Sequence, residues 1–539
     1  MKKTIKKLTA VGLTLTSVMG LVACGATGSS SSSSSSSSSV DWSSVEKPSK
    51  FSVMVDGTVV KESNGAQQFY DYLEELTGLE IEWIRPEHSA YYDQVASTFA
   101  SGDIPDVVLL SSDYLALYAN NGYLWDMTDA WENSATKNSG RLITSAEKIE
   151  AANVVLGPDG EYAMYGFSPF RGNGCCTYIK VSWLEAAGLS ASDVENKTLT
   201  YDEYYSILKK MKEASSSDYV ISAPGWIGTE APYTNYLPEF YQDAEYTFYL
   251  NDDNEYVDGF TEEAMQEALQ RIRDAVSDGI IDAETEGQTT AQARNKFYST
   301  DASTESGVFT YWAGTWADTL VTNLENKGLD SRLVAIYPIE ELGTYTERLS
   351  TAWCITSAAA ESGKAEGIFK YFIDTMLDGG DVQMAWEYGA KGTHWDDVAE
   401  TVTLATAKEG DTVKTYTYSD GEFHFLPSPE DPTTLMKKNH IDPVLAIATF
   451  DGDDPGLTSL TDNVKDNFEM FSTHSDVATP LPMTETLGNN ITDINTARNE
   501  VISKVALGTW TVEEGMKYYT ETVGSKVEAV LKSLNALLD

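Results

Sequence analysis

Apolar positions along this chain change their spacing several times, and each change predicts an element. Four lysines, Lys2, Lys3, Lys6 and Lys7, precede an apolar run from Leu8 to Val22, which ends in Ala23-Cys24-Gly25. A basic start, a short apolar core and small residues before a cleavage point make a secretory signal, too short to span a bilayer as a helix. Ser29 to Ser39 is unbroken serine, with no apolar surface to bury and little to stiffen it, so it predicts a flexible tether. Then Phe51 to Val55 is a short β-type run. Gly65 to Thr77 carries apolar residues at helical spacing (Phe69, Tyr70, Leu73, Leu76), and Gly78 stops it. Leu79 to Ile84 alternates like a strand, Tyr91 to Ser101 returns to helix, and Asp106 to Leu110 is the continuous apolar run of a buried parallel strand. Such alternation of strand and helix predicts an α/β lobe with a parallel sheet.

The middle of the chain is more helical. Asp202 to Ala214 and Thr261 to Asp278 keep helical spacing, the latter opening on Thr261 with acids in its first turn. Gly307 to Tyr311 and Leu333 to Tyr337 read as strands, and Lys364 to Leu377 as an amphipathic helix with Ile368, Phe369, Phe372 and Ile373. The pattern is irregular after His394, with a β-like stretch from Val413 to Tyr418 and a turn region around Pro427, Pro429 and Pro432. A last helix spans Val512 to Leu538. No internal repeat is present.

Composition narrows the function. About 500 residues follow the tether, enough for two or three domains. The net charge of -46 would repel nucleic acid and anionic lipid. Its acids are interspersed, as on a solvated surface. Of the four cysteines, Cys175, Cys176 and Cys354 are expected as buried free thiols, with a bridge from Cys354 to one of the pair as the lesser option. The five histidines lack ligand spacing, which argues against zinc. Asn251 to Glu255 alternates oxygens as calcium loops do, but without the glycine and glutamate spacing of an EF-hand, and reads as an acidic hairpin. No metal or other cofactor is expected.

Leu21-Val22-Ala23-Cys24 resembles a bacterial lipobox, in which the cysteine becomes the lipidated first residue. Ser101-Gly102-Asp103-Ile104-Pro105-Asp106 resembles the Ser-Gly-x-x-Pro-Asp signature of the family 1 extracellular solute-binding proteins, the capture subunits of bacterial ABC importers. Tyr118 to Leu124, Ile179 to Leu189, Thr200 to Tyr204, Gly307 to Trp316, Tyr388 to Trp395 and Gly508 to Tyr519 are similar to further segments of that family, in family order. The resemblance implies a fold of two α/β lobes joined by crossing hinge segments, which close on ligand between them. The expected division is a signal peptide over 1–24, a tether over 25–45, one lobe from 46–170 plus about 350–395, and a second from 171–349 plus about 396–539.

Ligands of open parallel sheets bind beyond the carboxyl ends of strands, and sugars want flat aromatic faces beside carboxylates or amides. The resemblance makes Trp316 the cleft tryptophan, with Trp312 as its partner or its packing support. Glu230-Ala231-Pro232-Tyr233 resembles a Glu-Pro-Tyr sugar-contact segment with Ala231 inserted, so the register of Glu230 or Tyr233 differs from the family. Trp226 is either a ligand stacker or a lobe anchor. Asp113, after the strand 107–110, matches a hydroxyl-binding aspartate of maltose-type relatives, but the arginine that follows there is Tyr114 here. Asp56 follows the first strand in the same sense. Both aspartates are equally readable as caps or turn residues. Arg171 and Asn173 flank a glycine at the first crossover, where they would reach either ligand or a structural partner. Trp353 and Trp395 fall near the later crossovers and are candidates for the cleft floor.

The resemblance implies a lipid-anchored binder, expected as a monomer, on the outer face of a bacterial membrane. Its expected cargo is a neutral oligosaccharide, delivered to ABC permease subunits. A peptide-binding importer subunit is the alternative, and a secreted glycoside hydrolase a weaker one, since no nucleophile elbow, metal cluster or phosphate loop is present.

Overall fold

The computed structural model describes residues 40–57, 61–87, 90–138, 153–168, 174–227, 235–347, 351–408, 410–436, 461–478, 481–482 and 484–538. The signal segment, Cys24 and the serine tract lie outside the described residues. By its internal contacts the chain divides at Ser44. Before that point, the described residues form a turn in which Ser43 donates to Asp41.

From Val45 onward, two sheets organise the chain. The strands that build them are β1 (Lys50–Met54), β2 (Glu80–Ile84), β3 (Val107–Leu110), β4 (Cys175–Lys180), β5 (Val308–Trp312), β6 (Leu333–Ala335) and β7 (Ala352–Ile355). The first sheet has the order β7-β3-β1-β2. Its first three strands run parallel, and β7 returns antiparallel with Ala352 opposite Leu110. The second is antiparallel, in the order β6-β4-β5, with Cys175 opposite Trp312. Each sheet has its own apolar cluster, one around Met54, Val108 and Leu110 and one around Ile179, Phe309 and Leu320.

The helices that cover these sheets start and stop where local chemistry requires. They are α1 (Ala66–Thr77), α2 (Tyr91–Ser101), α3 (Ser112–Asn120), α4 (Tyr201–Ala214), α5 (Glu263–Ser277), α6 (Thr290–Phe297), α7 (Thr315–Asn326), α8 (Asp462–Thr473), α9 (Glu485–Ala506) and α10 (Val512–Asn535). Gly78 ends α1 at φ +64°, its N–H donating to the Glu74 carbonyl at 2.7 Å. Thr200 with Glu203, and Thr511 with Glu514, form reciprocal caps at the starts of α4 and α10. The expected helix over 261–278 starts later, at Glu263, because Gly259–Thr261 closes as a tight turn capped by Asp258. That over 364–377 breaks after Ile368 into a wide π turn, Phe369–Ile373, which buries Phe369, Phe372 and Ile373 together.

The Asp of the Ser-Gly-x-x-Pro-Asp segment is structural. Asp106 accepts the Ser52 N–H at 2.9 Å and holds Lys364 Nζ 3.0 Å from each of its oxygens. Residues 396–436, expected in the second lobe, pack against the first instead. Trp395 pairs with Phe425, Phe423 and Phe425 lie on Tyr388, and Ser428 bonds Asn64 beside α1. The C-terminal helices do join the second sheet's body, where buried Arg498 grips Asp258 at 2.6 Å and Tyr519 donates to the same carboxylate. Cys175, Cys176 and Cys354 are buried free thiols. Asn251 to Glu255 is the turn of a hairpin between Phe248–Leu250 and Tyr256–Asp258. No helix among the described residues is long and apolar enough to cross a membrane.

Candidate functional site

At the carboxyl ends of β1 and β3 the first lobe gathers polar and aromatic groups. Tyr91, at the start of α2, donates to the Leu109 carbonyl at 2.7 Å and lies 3.1 Å from that of Met54, so one hydroxyl ties the two strand ends together. Tyr92 accepts the Ser111 N–H at 2.9 Å, and its ring stacks on Tyr114 with 4.0 Å between centres and 12° between planes. Burial pushes both hydroxyls above their usual pKa, and the nearby charge of Asp56 adds to the shift. Asp56 is half-buried on the turn after β1. Asp113 sits in the first turn of α3, and its side chain lies outside what is described.

The second lobe presents the end of β5. Tyr311 and Trp312 point to opposite faces of the sheet, as successive strand residues must. Trp316, in the first turn of α7, meets the Tyr311 ring edge-on at 4.7 Å and 89°. Gly314 makes the turn between them at φ +71° and ψ −123°, a conformation that suits glycine. Its N–H donates at 2.6 Å to Asn467 Oδ1 on α8, a buried amide that lies 3.2 Å from the Tyr178 hydroxyl. Arg294, in the last turn of α6, donates to the Tyr311 hydroxyl at 2.8 Å and lies 5.1 Å from the Trp316 ring centre. Trp312 and Trp316 both keep part of their surface exposed.

The connections between the two sheets run close to one another. Phe167 and Trp353 exchange backbone bonds of 2.9 and 2.8 Å beside the end of β3, while Gly174 lies at the start of β4. A Cβ on Gly174 would stand 2.3 Å from the Thr346 carbonyl oxygen, so the two crossing strands of chain lie side by side at this point. From Glu347 to Thr351 is four residues, a reach of at most about 14 Å.

Other expected site residues lie elsewhere. Trp353 is 1% exposed, wedged edge-on against Phe372 and Trp386, and belongs to the first lobe's core rather than to a cleft floor. Trp395 is also buried, its Nε1 donating to the Gly389 carbonyl and its ring on Phe423. Trp226 is the anchor of its two readings, buried in the second lobe with its carbonyl held by Tyr241. Arg171, Asn173, Glu230 and Tyr233 lie outside the described residues. Sequence reasoning missed Tyr92, Arg294 and Asn467. The adjacent Tyr91-Tyr92 at a helix start is a signal for the first, whereas nothing local marks the other two. No group of three or more metal-ligating side chains converges among the described residues.

The sequence profile described as bacterial extracellular solute-binding protein matches residues 58–374. The fold is similar to that of an HMO-binding, ABC-transporter-associated solute-binding protein from Bifidobacterium longum infantis, with a TM-score of 0.59 and 16% identity over 92% of this chain and 99% of that one. It is also similar to an N-glycan transport solute-binding protein from Streptococcus pneumoniae (TM-score 0.56, 14% identity, 91% and 99% covered). The alginate-binding protein AlgQ2 gives a TM-score of 0.56 at 16% identity over 92% and 98%. No curated protein matches the sequence. At such identities the likeness establishes the two-lobe α/β fold.

Proposed function

Because the chain belongs to the bacterial extracellular solute-binding proteins, binders rather than enzymes, we propose that it captures an oligosaccharide between its lobes and passes it to the permease of an ABC importer. The observation that carries this reading is that each lobe gathers aromatic and hydrogen-bonding groups at the end of its sheet, tyrosines with a carboxylate on the first and tryptophans with a guanidinium on the second. Aromatic faces beside hydrogen-bonding groups are what a pyranose chain, neutral over most of its length, requires. The HMO and N-glycan cargoes in the names of two similar structures support the same class. Sugar held on one lobe gains contacts with the other only when the lobes close, so it shifts that equilibrium by its differential affinity. Cys24 carries the lipid and the serine tract the reach, which leaves a monomer tethered outside the cell.

A thermal-shift screen of residues 45–539 against neutral oligosaccharides, uronate oligomers and peptides tests the cargo, since a ligand of the folded state raises the melting temperature. Trp316→Ala is expected to weaken the responding sugar at least about tenfold, or about 1.4 kcal/mol, with an unchanged fold. Equal affinity in the variant removes Trp316 from the site, and a response to peptides alone replaces the cargo. Cys24→Ser is expected to release the protein from membrane fractions, and its retention there would sink the lipid anchor.

A further inference from the structure

Basic side chains are scarce in this protein, 37 against 83 acids, and several of its arginines are paired with carboxylates. Arg85 meets Glu62, Arg332 meets Glu185, and Arg498 meets Asp258. Lys296, two residues beyond Arg294 in α6, lies 2.6 Å from Asp282 and 2.8 Å from Glu284. Arg294 differs. Among the described residues its guanidinium has no carboxylate partner. It donates once, to the Tyr311 hydroxyl, and spreads over the rings of Tyr311 and Trp316 at 5.6 and 5.1 Å. A half-buried guanidinium with one of its five N–H groups engaged is a fork without its usual acceptor.

We infer that Arg294 reads a carboxylate on the cargo, so that the preferred ligand is an oligosaccharide bearing an acidic sugar at the ring that stacks on Trp316. This rests on the reading that the Trp316 edge meets the cargo. The net charge of the protein does not oppose it, because charges beyond about 8 Å are screened at physiological salt while a guanidinium in contact is not. The opposite edge sets a limit. The tyrosine rings of that edge offer flat faces rather than a second guanidinium, which favours one acidic ring over a polyuronate. The plain alternative is that Arg294 only braces Trp316 by cation–π contact. Bracing would not discriminate between ligands that differ only in a carboxylate, whereas a planar fork would.

Calorimetric titration of residues 45–539 with matched probes separates these. The pairs are lactose with 3′-sialyllactose and cellobiose with its glucuronate-bearing counterpart, with dialanine as a carboxylate lacking a sugar. The acidic member of a pair is expected to bind at least about tenfold more tightly than its neutral twin. Arg294→Met should collapse that ratio to within about twofold, while Arg294→Lys keeps part of it. If Arg294→Met does not fold, Arg294→Gln takes its place. Twins of equal affinity, a preference for the neutral one, or a ratio that survives the loss of the guanidinium overturn the inference and leave oligosaccharide capture standing. Binding of dialanine alone, or of none of the probes, overturns the oligosaccharide reading and the inference with it.

Discussion

Asp106 and Glu239 are both carboxyls pressed against a central sheet, and the two lobes treat them in opposite ways. Asp106, at the start of β3, is met by Lys364 and the Ser52 N–H, so it ties β1, β3 and the Lys364 segment into one unit. Glu239 lies fully buried in the short helix Pro238–Tyr241, and its Oε1 has no hydrogen-bond partner. Burial pushes its pKa up to about 7, only partly offset by a hydrogen bond from Thr177 on β4. The first sheet is thus clamped by an ion pair, while the second carries a carboxyl that stays comfortable only when protonated. The same asymmetry recurs at the cleft. The first lobe's edge is fixed by neighbours within its own βαβ units, whereas the Trp312–Trp316 loop depends on Asn467, some 150 residues further along the chain.

The largest expected effect breaks the clamp. Asp106→Ala strands Lys364 and the Ser52 N–H at once and is expected to cost about 4 kcal/mol of stability, read from urea unfolding at pH 7. A loss below about 1 kcal/mol would mean that the motif's aspartate is not what holds the first sheet.

The next sharpens the contrast through pH. Glu239 has a folded pKa of about 7 against 4.5 for the free side chain, so its stabilising protonation is complete below pH 4.5 and lost as pH rises through 7. The loss amounts to about 3 kcal/mol. Glu239→Gln is therefore expected to unfold at higher urea than the parent at pH 8, by an increment that shrinks toward pH 5. Parallel curves for the two proteins would refute the assignment. The first lobe's buried His394 works in the other direction. Burial lowers its pKa, so its contribution is present above about pH 6.5 and falls away in acid.

Much of this was legible in one dimension, and the part that was not has a physical reason. Glycine stops at Gly78 and Gly102 and the helical spacing of α1, α2 and α10 mark elements whose causes are local. The fold class followed from strand–helix alternation and the motif order. Tryptophans were harder, because Trp353, Trp395 and Trp316 differ only in what packs on them, and packing comes from distant chain. Arg294 and Asn467 escaped notice for the same reason. Each acts on the β5 loop from another helix, and neither stands in a spacing that betrays it. Residues 396–436 are an irregular stretch with no period to say which sheet they join, and their contacts with Trp395 and Asn64 come from distant chain.

The smallest expected effect bears on the first lobe's edge alone. Tyr114 stacks on Tyr92, and Tyr92 in turn accepts the Ser111 N–H, so the ring pair is part of the frame as well as a surface for ligand. Tyr114→Leu keeps apolar bulk but removes the aromatic face, and an aromatic pair is worth about 1 kcal/mol beyond its buried area. Affinity for the cargo should therefore fall about fivefold, less than for Trp316→Ala, with little change in the unfolding midpoint. A larger loss than at Trp316 would reverse the ranking of the two edges and make the tyrosine side the principal sugar platform. No loss at all would leave Tyr114 as frame only, with the cargo held chiefly by the tryptophan loop that Asn467 positions.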